Sequence, residues 1–116
     1  MIVVVSQAWT KPAEEHAQAY IALNGEFGRF FRAHPGYRGR RLVRGVENPW
    51  HFTHLRYFDT VEAYEECTRA EGYVEHTVAM YEHLEPYDSY PREYLEVVID
   101  EPDPRAASDL AGEPAP

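Results

Sequence analysis

A single cysteine, Cys67, in 116 residues removes two function classes at once: an internal disulfide and a thiolate metal cluster both need more than one thiol. No apolar run approaches the 18 residues of a membrane-spanning helix, and MIVVVSQAW carries neither a charged leader nor a cleavage site. The expectation is a cytoplasmic protein. No glycine-rich phosphate loop, nucleophile elbow or Cys-x-x-Cys occurs, and no two histidines have HxH or HxxxH spacing. Rossmann nucleotide binding, P-loop chemistry and serine hydrolysis are thereby unsupported. Basic residues are also scarce, 11 against 20 acids for a net charge of −9, which excludes non-specific nucleic-acid binding.

What is present has the composition of one globular domain, 44% hydrophobic and 27% charged. Aromatics are abundant at 14%, with nine Tyr, and half-polar rings in that number fit a pocket or an interface. The charge is unevenly placed. Residues 101–116 hold −3 of the total and the body −6. Within the body Arg38, Arg40, Arg41 and Arg44 crowd into seven residues, whereas 59–85 holds eight acids and only Arg69. Pairing of that basic strand with the acidic second helix, or attraction of an acidic ligand, follows from the division.

Chain order gives the architecture. The β-branched run 2–9 is a strand, with Val3, Val5, Gln7 and Trp9 on one face and Ile2, Val4, Ser6 and Ala8 on the other. Pro12 sits in the first turn of a helix whose stripe runs through Ala13, Ala17, Tyr20, Ile21, Asn24, Phe27 and Phe31. His34-Pro35-Gly36 stops it. Residues 37–46 and 50–58 form an antiparallel hairpin around Glu47-Asn48-Pro49. Asp59 and Thr60 are N-cap types, and Asp59 with Glu62 resembles a capping box. A second helix follows through Val61, Tyr64, Cys67 and Thr68, bends at Gly72, and resumes through Tyr73, Val74, Thr77, Val78, Tyr81 and Leu84. Pro86 and Pro91 bound a loop, and 92–100 alternates as a last strand. Residues 101–116, Pro/Ala-rich and acidic, are expected to be disordered, leaving 1–100 as the folded domain.

The order βαββαβ is that of a ferredoxin-like antiparallel sheet in the α+β class, with both helices on one face. The other face is too apolar and aromatic for water, so a homodimer is expected.

The strand-one run, HPGYRGRRLVRG and RYFDTVEAYEECTRAEGYVEH together resemble the antibiotic-biosynthesis monooxygenase family over about residues 2–100. The match lies in Pro35-Gly36-Tyr37 and in Phe58-Asp59-Thr60-Val61-Glu62-Ala63-Tyr64. The resemblance implies a dimeric α+β barrel and, in some members, cofactor-free oxygenation of phenolic polyketides to quinones. A haem-degrading branch uses an Asn, a Trp and an iron-ligating His. Gln7, Cys67 and His76 stand at those positions, so one of the three is retained. Haem binding with His76 as axial ligand is therefore the alternative reading, and a non-catalytic small-ligand binder is a third.

Candidate catalytic residues are His76, as base or anion stabiliser, Gln7, as an amide toward a substrate carbonyl, and Asn24, a polar break in an apolar stripe. Trp9, Phe27, Tyr64, Cys67 and Tyr73 are candidate substrate-binding residues. His54 and Arg56 share a strand face and suit an anionic or phenolate ligand, or an ion pair across a dimer; His51 lies opposite. His16 and His83 read as solvent positions. The expected partner molecules are a second copy of the chain and a small aromatic ligand, with no cofactor, nucleic acid or membrane.

Overall fold

A computed structural model of the chain describes residues 1–86 and 92–105. Four strands, β1 (Ile2–Trp9), β2 (Tyr37–Arg44), β3 (His51–Phe58) and β4 (Arg92–Glu96), form one sheet in the order β2-β3-β1-β4, every neighbour antiparallel. Helices α1 (Glu14–Glu26) and α2 (Gly28–Phe31) lie between β1 and β2. Helices α3 (Val61–Thr68) and α4 (Tyr73–Met80), with a 3-10 turn at Tyr81–His83, lie between β3 and β4. This is the ferredoxin-like α+β arrangement, with the helices on one face. The part of the expected tail from residue 106 onward, and residues 87–91 of the expected loop, lie outside the described residues. No helix among the described residues is long and apolar enough to cross a membrane.

Strand alternation decides which side chains the helices cover. On β3, Phe52, His54, Arg56 and Phe58 are buried, while His51, Thr53, Leu55 and Tyr57 between them are half-buried. In register with the covered set are Ala8, Ser6, Val4 and Ile2 of β1. Val4, Phe31, Phe52, Phe58 and Tyr64 are almost wholly buried between sheet and helices and make the centre of the core. Fully burying one such ring or branched chain stabilises the fold by ~1.5–3 kcal/mol.

Local chemistry differs from the sequence reading at several joints. Pro12 stands just outside α1, which starts at Glu14 with Ala13 as its N-cap. Thr60, not Asp59, caps α3: its hydroxyl accepts from the Ala63 N–H at 3.1 Å. Asp59 is instead held by Arg38 through a bidentate pair at 2.7 and 2.8 Å. Arg44 pairs with Glu14 of α1 at 2.9 Å, so the basic strand is met by Asp59 and Glu14 and not by the acids of α3 and α4. On α4 the buried positions are Tyr73, His76 and Met80, while Val74 and Val78 are exposed. The last strand ends at Glu96, short of the expected Asp100. Gly72 caps α4 with φ +88°, and Gly39 takes φ +108° at the irregularity between Tyr37 and Arg40 in β2; both are backbone states that glycine adopts without a Cβ penalty.

Candidate functional site

Between the sheet and the helices opens a cleft of about 670 Å³. The sheet supplies Ser6, Ala8, His54, Arg56 and Arg92 to its walls, α1 with the residue after it supplies Tyr20, Asn24 and Phe27, and α3, α4 and the 3-10 turn supply Tyr64, Tyr73, Thr77, Met80 and Tyr81. The walls are largely aromatic, and the polar groups fall into two sets.

The first set is built on Arg40. Its Nη1 donates to Asn24 Oδ1 at 2.6 Å and lies 3.1 Å from His54 Nε2; its Nη2 donates to the Gly25 carbonyl at 3.0 Å. A guanidinium only donates, so Nε2 of His54 is the acceptor and its ring proton sits on Nδ1. Burial, then the nearby Arg56 and Arg40 charges, push the His54 pKa down to about 2, so the ring is a neutral imidazole. Arg40 thus occupies the acceptor atoms of two buried neighbours. What Asn24 and His54 can offer the cleft they line is an Nδ2 amide and an Nδ1–H, both donors.

The second set surrounds Tyr64. Arg56 is 4% exposed, donates from Nη1 to the Tyr64 hydroxyl at 3.3 Å, and donates from Nη2 to Ser6 Oγ. Arg92 donates to the same Tyr64 hydroxyl at 3.2 Å. Their guanidinium carbons lie 5.2 and 5.8 Å from the Tyr64 ring centre. Arg56 Nε is buried with no acceptor. Desolvation and the hydrogen bond to Tyr64 hold the Tyr73 phenol well above its ordinary pKa, so it stays protonated.

Of the residues singled out from sequence, Asn24, Phe27, Tyr64 and Tyr73 meet in this cleft, with His54 and Arg56 beside them. The others are elsewhere. Gln7 borders the cleft, but strand alternation sends its side chain to the opposite face of the sheet. There its Oε1 accepts from Thr53 at 2.8 Å and lies 2.7 Å from His51 Nε2. Trp9 stacks on His51 on that same outer face, ring centres 4.6 Å apart. His76 is buried behind the cleft, Nε2 2.6 Å from the Leu23 carbonyl, its ring 4.7 Å from that of Phe27 and its Nδ1 3.8 Å from a Glu26 carboxylate oxygen. Cys67 is a core residue, 3% exposed, and burial raises its thiol pKa. His16 and His83, expected in solvent, face one another with Nδ1 atoms 3.0 Å apart. Ser6, Arg40 and Arg92 were missed. Ser6 and Arg92 are fixed by strand pairing, and Arg40 was visible only as one of four clustered arginines.

Among the described residues no group of three or more His, Cys, Asp or Glu gathers as metal ligands. No family model matches the chain, and no curated protein matches it. Solved structures do. One named an antibiotic biosynthesis monooxygenase superposes with TM-score 0.70 at 18% identity, covering 85% of this chain and 100% of that one. SnoaB, a cofactor-independent oxygenase from Streptomyces nogalater, superposes with TM-score 0.69 at 14% identity, covering 88% of this chain and 97% of its own. Rv0793 from Mycobacterium tuberculosis gives TM-score 0.69 at 18% identity over 88% and 98%. At these identities the likeness is one of fold.

Proposed function

We propose that the chain is a cofactor-independent monooxygenase acting on a small aromatic or polycyclic phenol held in the cleft. The observation that carries this reading is the pair of donors, Asn24 and His54, oriented by Arg40 within aromatic walls. Donors preset where negative charge develops stabilise it without reorganisation. A substrate phenol whose ring bears an acidic CH2 group ionises there, its oxygen taking hydrogen bonds from Asn24 Nδ2 and His54 Nδ1, and the proton leaves to water at the cleft mouth. The anion passes one electron to O2, and the resulting radical pair closes a C–O bond to give a hydroperoxide. Loss of water from the hydroperoxide leaves a ring carbonyl. One oxygen atom enters the product, the other leaves as water, and the carbon supplies all four electrons.

His54 serves here as a donor and not as a base, because its burial, and then the two arginines beside it, oppose a positive charge on the ring. Tyr20, Phe27 and Tyr73 supply ring contacts to the substrate body. The relationship in fold to SnoaB supports the same chemistry. His76 has no part in it: its Nε2 is spent on the Leu23 carbonyl, which also leaves the haem reading without a free axial nitrogen at that atom. Two chains pair, in this reading, through the outer sheet face that carries Val5, Trp9, Leu55 and Tyr57.

Oxygen-electrode assays with a panel of hydroxyanthrones and related phenols test the proposal. The expected result is O2 uptake with one atom of ¹⁸O2 in the product, and a fall in turnover of about a hundredfold in Asn24→Leu. No uptake with any panel member overturns it.

A further inference from the structure

The second polar set of the cleft, around Tyr64, is not consumed by that chemistry. Arg56 and Arg92 donate to one phenolic oxygen and flank one ring, so two guanidiniums stand close together. Their partners, Ser6 Oγ and Tyr64 OH, are neutral and cannot balance charge. Two strand arginines at the surface are compensated, Arg38 by Asp59 and Arg44 by Glu14, whereas Arg40, like Arg56 and Arg92, has neutral partners. Among the described residues no Asp or Glu lines the cleft, and neither Arg56 nor Arg92 pairs with a carboxylate, although the chain as a whole carries −9. Retaining a buried, unpaired cation costs several kcal/mol unless an anion arrives to compensate it. Arg56 Nε, buried with no acceptor, marks the same deficit.

We infer that Arg56 and Arg92 form the receptor for an ionised carboxylate on the ligand, so that the substrate class is an aromatic acid and not a neutral phenol. The inference rests on the oxygenase reading only in placing the aromatic body along the cleft. His54 and Arg56 stand two residues apart on one strand, about 6.6 Å along it. The reacting phenol at Asn24 and His54 and the carboxylate at Arg56 and Arg92 therefore lie on neighbouring rings of one fused system. The carboxylate binds as a charge-assisted partner of both guanidiniums, with Ser6 and Tyr64 holding Arg56 in place.

Isothermal titration calorimetry on the full chain, comparing anthraquinone-2-carboxylate with anthraquinone-2-carboxamide, tests this. The two are near-isosteric, the amide replacing a charged acceptor oxygen by a neutral NH2 donor, and neither has a phenol or an oxidisable CH2 to turn over. The carboxylate should bind at least about tenfold tighter than the amide. Arg56→Gln and Arg92→Gln should each abolish most of that preference while leaving amide binding within about threefold. Arg92, the more exposed of the pair, keeps the test valid if Arg56→Gln loses its fold by circular dichroism. Equal affinities in the wild type, a preference that survives both substitutions, or binding of neither compound overturns the inference. Oxygen uptake separates the two proposals. Turnover of phenols with no preference for acids removes the carboxylate receptor and leaves the oxygenase; a carboxylate preference without uptake does the reverse.

Discussion

Arg40 and Asn24 meet at 2.6 Å, from the second strand to the first helix, and the same guanidinium nitrogen lies 3.1 Å from His54. That one contact turns a candidate amide into an oriented one. An asparagine alone in a cleft can present either end; with Oδ1 held by Arg40, only the amide N–H groups remain to face a ligand.

Arg40→Met should therefore act through its neighbours. Without the donor, His54 divides between its two neutral tautomers, and the Asn24 amide is free to turn over. Turnover should fall about tenfold or more with KM changed less, because the lost interaction is one that strengthens as charge develops. The ring ¹⁵N shifts of His54 report the mechanism directly. In the wild type they should show a proton on Nδ1; in the variant, a mixture. An unchanged tautomer in Arg40→Met would show that Arg40 does not set the donor pattern.

Acid should destabilise the fold through His54. Its folded pKa, about 2, lies below the ordinary 6.5, so the unfolded chain binds the proton more readily. Stability from this group is level above pH 6.5 and is lost as pH falls from 6.5 toward 2, with a limiting slope of about 1.4 kcal/mol per pH unit. Urea midpoints between pH 7.5 and 5, of the order of a few M, measure it. His54→Phe should flatten the dependence, and a slope as steep in that variant assigns the effect to other groups. The imidazole C–H resonance of His54 should stay at its neutral position throughout the range.

His76 should prove structural. Its Nε2 reaches the Leu23 carbonyl at 2.6 Å in a site 7% exposed, tying α4 to α1. His76→Ala leaves that carbonyl without a partner and opens a small void, at a cost of about 1–3 kcal/mol. Chemical denaturation reads the loss. In a haem titration, any Soret change should be the same in wild type and His76→Ala; a band that depends on His76 would restore the axial-ligand reading.

The sequence was most legible where one signal dominates. The β-branched run of β1 and the turn at Asn48-Pro49 follow from local chemistry, and with them the order of elements. Asn24 stood out because an amide broke an apolar stripe, and the stripe faces the cleft. The two faces of β1 were also legible, but not which of them the helices cover. Val3, Val5 and Trp9 are no less apolar than Ile2, Val4 and Ala8, so alternation alone could not decide between them. The helices take the face with the small Ala8 and Ser6, and Gln7 goes to the other side with Trp9. The surroundings of His76 were hidden for a related reason. Its partner is a backbone carbonyl 53 residues away, which no side-chain pattern reveals. Arg40 and Arg44 share one register with β3, opposite Arg56 and Phe52, so the strand pattern does not separate them, while Arg38 lies across the irregularity between Tyr37 and Arg40.

Gly72 should resist substitution. At φ +88° it caps α4 and starts the helix that carries Tyr73 into the cleft. A Cβ there meets nothing closer than the Phe30 ring at 3.9 Å, so the penalty is conformational and not steric. Gly72→Ala should cost about 1–2 kcal/mol. Gly25→Ala offers the control, since a Cβ at that helical position meets nothing within 4 Å and the change should stabilise by up to about 1 kcal/mol. Thermal unfolding of the two variants side by side separates the cases. Equal effects would mean that the left-handed cap contributes nothing.

The outer sheet face is the remaining test of assembly. Val5 pairs in register with Leu55 at its middle, and Val43 and Leu95 flank them at 45% and 43% exposure. Trp9 and His51 stack beside this strip, with Gln7 and Thr53 hydrogen-bonded in line. A second copy laid on this face buries the apolar strip, and a stable pair needs about 800 Å² from each partner. Light scattering should give twice the 13.4 kDa chain mass for the wild type. Leu55→Glu places a carboxylate at the centre, where pairing would desolvate it, and should return a folded species of one chain mass. A wild-type mass of 13.4 kDa at tens of micromolar would end the pairing proposal and leave the cleft, which lies on the opposite face, untouched.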